Sequence, residues 1–225
     1  MSSSQLQYDA IRQAITPARL TSFDAAATLQ GASSHEAVEL YEWNAELASA
    51  LLLPLHYFEV VLRNAVHEAL TQTYRESWPW DNRFVNSVPV NHGLYHPRSD
   101  IQGIRARCAS TGKLIPELKF VFWEHMLTRR YDAAIWNPQF ATVFPGAPVP
   151  NGVPAAARSI AADVRTVRSI RNRVAHHEPI YFRNITEVMD SIERVTAYRN
   201  TDVGDWVKKA HRVTTILGQR PVWYP

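Results

Sequence analysis

Apolar residues recur at steps of three and four along much of this chain. On AAARSIAADVRTVRSIRNRVAHH, Ile160, Val164, Val167 and Val174 fall on one stripe, the spacing of a helix with one buried face. NITEVMDSIERVTAYR and GDWVKKAHRVTTILGQR read as two more amphipathic helices. Residues 4–30 predict one or two short helices around Tyr8, Ile11, Ile15, Leu20 and Phe23, with Pro17 in the first turn of the second. A further helix starts in GASSHEAVELYEW, capped by Ser33 or Ser34 with Glu36 in its first turn. It continues through ELASALLLPLHYFEVVLRNAVHEALTQTYR, where Pro54 is expected to kink or divide it. IPELKFVFWEHMLTRRYDAAIW predicts another apolar helix, and residues 100–109 a shorter one. Residues 77–100 and NPQFATVFPGAPVPNGVP are dense in turn-forming residues and read as connections. No stretch alternates as a strand does, and no internal repeat is visible. The pattern predicts an all-α fold, a helical bundle.

Composition narrows the picture. With 225 residues, 46% hydrophobic and 20% charged, the chain can bury a core and does not read as disordered. A net charge of +3 is compatible with a polyanionic partner. The single cysteine, Cys108, leaves no intramolecular disulfide or cysteine-rich metal site. The start MSSSQLQYDAIRQ lacks a basic, then apolar, export signal. The most apolar run, Leu47 to Leu62, contains Pro54, His56 and Glu59. It falls short of the roughly 20 residues a bilayer span needs and reads as a core helix. A cytoplasmic protein with no membrane partner is therefore expected.

Two polar anomalies interrupt the apolar helices. One is RSIRNRVAHHEP. After Val167 the stripe is expected at position 171, which is Arg171. A guanidinium on a core stripe needs partners, or must face a cleft or interface that takes an anion. The other is the row His56, Glu59, Arg63 and His67, with Asn64 beside it. Glu59 and Arg63 are in the favourable order for an i,i+4 pair. This row is either a solvated face or the lining of the same cleft as Arg171. His92 and His96 lie four apart in a loop without a carboxylate or cysteine cluster. No zinc-binding His-Glu-x-x-His pattern, glycine-rich phosphate loop or Gly-x-Ser-x-Gly elbow occurs. No metal or cofactor is expected.

The spacing of Arg171, Asn172 and His176 resembles the motif of HEPN-superfamily ribonucleases, and RNRVAHHEPI resembles its form in the Abi-like (abortive infection) bacterial proteins. The similarity extends to ELYEWNAELASALLLPLHYFEVVLRNAV, GKLIPELKFVFWEHMLTRRYDAAIW and WVKKAHRVTTILGQRP, departing at Val121, where a glycine is expected. The resemblance implies one HEPN-like domain over residues 1–225, with residues 1–32 as a candidate N-terminal helical extension. It implies a metal-independent endoribonuclease and a homodimer with the motif at the interface, acting in phage defence or as a toxin. An antitoxin or regulatory partner goes with that reading. RNA carries its own nucleophile, the 2′-hydroxyl. His176 is then general base or acid, Arg171 clamps the phosphate, and Asn172 orients. On an ideal helix the two histidines stand about 140° and about 120° from Arg171 on opposite sides, so geometry does not choose; the resemblance favours His176 and leaves His177 as the second choice. Glu59, Arg63 and Asn64 are supporting candidates. The rival readings are a non-catalytic helical module binding RNA or protein, a modified or neutralised toxin subunit, and a purely structural cluster. In the last, the histidines cap the helix and Arg171 bridges to Glu59.

Overall fold

The computed structural model describes residues 3–225, with side chains from residue 7 onward. Among them the fold is all-α: no strand forms, and one isolated bridge joins His92 and Tyr95. The α-helices are α1 Ser3–Ile15, α2 Pro17–Leu29, α3 Ser34–Tyr74, α4 Asn82–Ser87, α5 Pro97–Arg105, α6 Thr111–Leu114, α7 Phe120–His125, α8 Asn137–Val143, α9 Val153–Ala175, α10 Ile185–Arg199, α11 Thr201–Ala210 and α12 Val213–Leu217. The chain sorts into two compact units. The first holds Met1–Leu53, Ile170–Ile185 and Ala210–Pro225; the second holds Pro54–Ser169 and Thr186–Lys209. The expected extension at residues 1–32 thus belongs to a unit that also takes in the end of α9 and the C-terminal segment.

The first unit is assembled by polar ties as much as by apolar packing. Pro17 opens α2 as expected. Ser33 and Glu36 form a reciprocal capping box at the start of α3, with the Ser33 amide 2.7 Å from the Glu36 carboxylate and the Glu36 amide 3.3 Å from the Ser33 hydroxyl. Trp43, buried on α3, donates its indole N–H to the carbonyl of Ile216 at 2.7 Å. Tyr181 donates its hydroxyl to the carbonyl of Ser22 at 2.9 Å. Its ring lies 5.0 Å from that of Phe23 and 5.3 Å from that of Tyr224. Leu20, Phe23, Leu40, Leu47 and Ile180 fill the space between these ties.

Pro54 does not divide α3, which runs unbroken for 41 residues. An interior proline costs about 3 kcal/mol. Leu55, Phe58 and Leu62, all buried in the second unit, each return about 1.5–3 kcal/mol on leaving water, enough to hold the helix through it. By length and composition alone this whole helix could cross a bilayer.

The second unit departs most from the sequence pattern. The stretch from Ile115 to Trp136, expected as one helix, is a chain of short pieces: a 3-10 turn Ile115–Glu117, then α7, a 3-10 turn Arg129–Tyr131 and a π-turn Asp132–Trp136. Phe120, Phe122, Trp123, Met126, Leu127, Tyr131, Ile135 and Trp136 are all buried. One straight helix cannot point so many large side chains at a single core. At the break, the Trp136 indole satisfies the freed carbonyl of Met126 at 2.7 Å. The expected connections also contain structure. Residues 77–100 hold a 3-10 turn Trp78–Trp80 and α4, nailed down by the buried rings of Trp78 and Phe84 and capped by Asp81, which accepts from the Arg83 amide at 2.8 Å. The helix expected at residues 100–109 begins earlier, at Pro97, and the second connection contains α8, where Phe140 and Phe144 pack near Trp136. The last expected helix is two, α11 and α12, parted where the His211 ring accepts from the Val213 amide at 3.2 Å.

Asp163 of α9 ties down α10, accepting from Arg194 at 2.9 and 3.0 Å and from Ser191 at 3.1 Å. Gly204 of α11 lets α10 come close, since a Cβ there would lie 2.7 Å from the Cβ of Ala197. His125 is 3% exposed, and burial, then the neighbouring charges of His92 and Arg130, push its pKa down to about 4. The folded protein therefore holds this ring neutral while the unfolded chain protonates near 6.5. Stability from this group is complete above about pH 6.5 and declines as pH falls toward about 4, by on the order of 2 kcal/mol. Urea unfolding across this range should give that slope, and His125→Gln should flatten it.

Candidate functional site

The polar helix end predicted from RSIRNRVAHHEP is real, and its geometry is specific. The buried stripe of α9 runs through Ile160, Val164 and Val167 and continues to Ile170 and Val174. Ile170 widens the buried face at its edge, and Arg171 is half-buried. At 3.6 residues per turn Arg171 lies about 20° from Ile160 and about 40° from Val167, so it stays on the stripe by angle, while its side chain is half-buried rather than buried.

The helix ends at Ala175, four residues before Pro179, through a Schellman turn. The Glu178 amide bonds the Arg173 carbonyl at 2.8 Å and the His177 amide bonds the Val174 carbonyl at 3.1 Å. His177 occupies the position this turn reserves for a left-handed residue, with φ +54. Glycine is the usual occupant, and a side chain there costs about 1–2 kcal/mol. His177→Gly should accordingly raise the unfolding free energy by about 1 kcal/mol, read from the urea midpoint at unchanged m-value. Arg173 reaches back across the turn, its Nε 2.9 Å from the Pro179 carbonyl and a terminal nitrogen 3.1 Å from the Glu178 carboxylate. Asn44 of α3, buried, accepts from both Ile180 at 2.7 Å and Tyr181 at 3.0 Å.

These constraints frame a cavity of about 380 Å³ in the first unit, lined by Arg19, Tyr41, Asn44, Leu52, His177 and Glu178 with neighbouring small residues and the Val174–Ala175 turn. On the helix wheel Arg171 falls between these two lining residues, about 40° from Ala175 and one turn earlier. His176 is exposed and outside the lining, whereas His177 is in it. The side chain of Arg19 has no hydrogen-bond or ion-pair partner among the described residues, so a half-buried cation faces the cavity unneutralised. Nearby, the half-exposed ring of Phe182 has the Arg173 and Arg183 guanidinium carbons 5.3 and 4.9 Å from its centroid.

Sequence reasoning found Arg171, Asn172, His176 and His177, which the fold brings together in one unit. It missed Arg19, Tyr41 and Asn44, which lie more than 100 positions away and carry no local motif. Glu59, Arg63 and Asn64 stand in the second unit. There Glu59 and Arg63 form an i,i+4 ion pair whose side chains are mostly buried, while Asn64 is exposed. His67 of the same row accepts from the Trp78 indole at 3.0 Å. Glu59, Arg63 and His67 of this row are thus partnered, while His56 and Asn64 are exposed. His96 pairs with Asn91 at 2.7 Å, and among the described residues no three His, Cys, Asp or Glu side chains converge as metal ligands. No protein-family model, curated protein or solved structure matches this chain.

Proposed function

We propose that this protein is a HEPN-like endoribonuclease of the Abi-like kind, cleaving RNA by attack of the 2′-hydroxyl on the adjacent phosphate. The observation that carries the reading is the cavity at the end of α9, where an unneutralised Arg19 and the His177 ring share one lining a turn away from Arg171. Two cations suit a bridging phosphate and the charge it gains in the transition state. A histidine ring suits proton transfer at neutral pH. The half-exposed Phe182 with two guanidiniums beside it joins aromatic and cationic surface of the kind single-stranded RNA takes. In this reading the proton-transferring histidine is His177, with Asn172 orienting and His176 secondary. A homodimer supplies the second proton-transfer group from the other copy's histidine. Phage defence or a toxin held by an antitoxin, in the cytoplasm, is the setting this chemistry fits.

Purified protein incubated with a short RNA in EDTA tests the reading. Cleavage should persist in chelator, stop at a site whose 5′ nucleotide is 2′-deoxy, and leave a 2′,3′-cyclic phosphate and a 5′-hydroxyl. The active fraction should be dimeric by light scattering. Cleavage of single-stranded DNA, or a strict need for magnesium, overturns it. One observation favours a second reading: the Schellman turn accounts for the helix end without catalysis. A non-catalytic RNA- or protein-binding module would bind the same RNA and leave it intact.

A further inference from the structure

A different pocket lies in the second unit. We propose that the cleft lined by His92, His125, Arg129, Arg158 and Arg165 binds a small phosphate-type oxyanion. Its volume is about 250 Å³, below the roughly 300 Å³ at which cofactor-sized pockets begin, which suits a small anion. Three arginines line it against one carboxylate, Glu124, which pairs with Arg165 at 3.3 Å. Arg129 is exposed, and its side chain has no hydrogen-bond or ion-pair partner among the described residues.

The buried groups of this pocket are donors in want of acceptors. Asp132 holds the two terminal nitrogens of Arg158 at 2.8 and 3.1 Å, but its buried Nε–H has no partner. The ring of His125, 3% exposed, meets the Tyr131 hydroxyl through Nε2 at 3.0 Å. Tyr131 is buried and its hydroxyl makes no other hydrogen bond among the described residues, so it donates to Nε2, which places the ring proton on Nδ1. That Nδ1 is buried and unpartnered as well. The His92 ring lies over it, 4.5 Å between centroids. A metal cation would need acceptors here. A tetrahedral oxyanion brings four acceptor oxygens, and the free guanidinium of Arg129 supplies charge at the mouth. This inference does not depend on the ribonuclease reading, since none of its residues takes part in that site.

The test uses the whole protein and inorganic phosphate at constant ionic strength, with chloride as the control. Phosphate should shift the His125 ring nitrogen resonances saturably and raise the Tm, while chloride does neither. Arg129→Ala, at an exposed position that spares the fold, should weaken phosphate binding about tenfold or more, and Arg165→Ala should weaken it too. A parallel titration with ribose 5-phosphate separates the sources: tighter binding than inorganic phosphate assigns the site to a phosphate ester, weaker binding to the free anion. The proposal is overturned by no saturable shift at His125, by an equal shift with chloride, or by both arginine variants binding phosphate as the wild type does.

Discussion

Arg171→Ala and His177→Ala should each lower the single-turnover rate of RNA cleavage by at least about a hundredfold, while His176→Ala lowers it less than about tenfold. The magnitude follows from the roles: a positioned acid or base contributes about 10²–10⁴, and a charge clamp on the transition state about 10²–10³. The order of the histidines follows from the cavity: both are exposed, but His177 is in its lining and His176 is not. His177→Gly sharpens the test because it separates two roles at one position. If the ring only fills the left-handed place in the turn, glycine stabilises the protein and spares cleavage. If the ring transfers a proton, glycine stabilises the protein and abolishes cleavage. Full activity in His177→Gly together with loss in His176→Ala would return the catalytic role to His176.

Asn44→Leu should destabilise the protein by about 2–4 kcal/mol. The amide oxygen of Asn44 is the acceptor for two backbone N–H groups, those of Ile180 and Tyr181, at a buried place. Leucine matches the volume and removes both bonds, leaving two donors without an acceptor at about 1–3 kcal/mol each. Some of that is recovered if the segment shifts toward water. Chemical denaturation should read the loss as a lower midpoint. Asn44→Asp, which keeps the acceptor, should lose less. The segment after the helix should loosen before the rest, so the Leu variant's RNA cleavage should fall as well, through misplacement of His177. A midpoint within about 0.5 kcal/mol of wild type in the Leu variant would show that this tie does not hold the turn.

Amphipathic periodicity made the long elements legible. α3, α9 and α10 stand where their three-and-four spacing put them, and the caps at Ser33 and Pro17 were readable because capping is local chemistry. What periodicity could not show was breakage within a stretch whose large apolar residues are not confined to one face. The segment from Phe120 to Trp136 folds around its aromatics, and only the tertiary core decides where it turns. The same limit applies to the site. The Arg171–His177 cluster was visible because it is contiguous. Arg19 and Asn44 were not, because nothing in ARLTSF or YEWNAEL announces that a cavity will close over them.

The double acceptor at Asn44 also bears on how the sequence can drift. It binds two stretches 136 positions apart into one unit of inheritance. What it requires of positions 180 and 181 is only that each keep a backbone N–H, so the side chains there answer to packing while proline is barred from both. At position 44 itself the allowed set is narrow, a short side chain with an acceptor oxygen. A proline arriving at 181 would leave Asn44 half idle, and a change at 44 would remove the reason for excluding proline. These distant codons should therefore vary together across descendants, while His176, exposed and untied, varies alone.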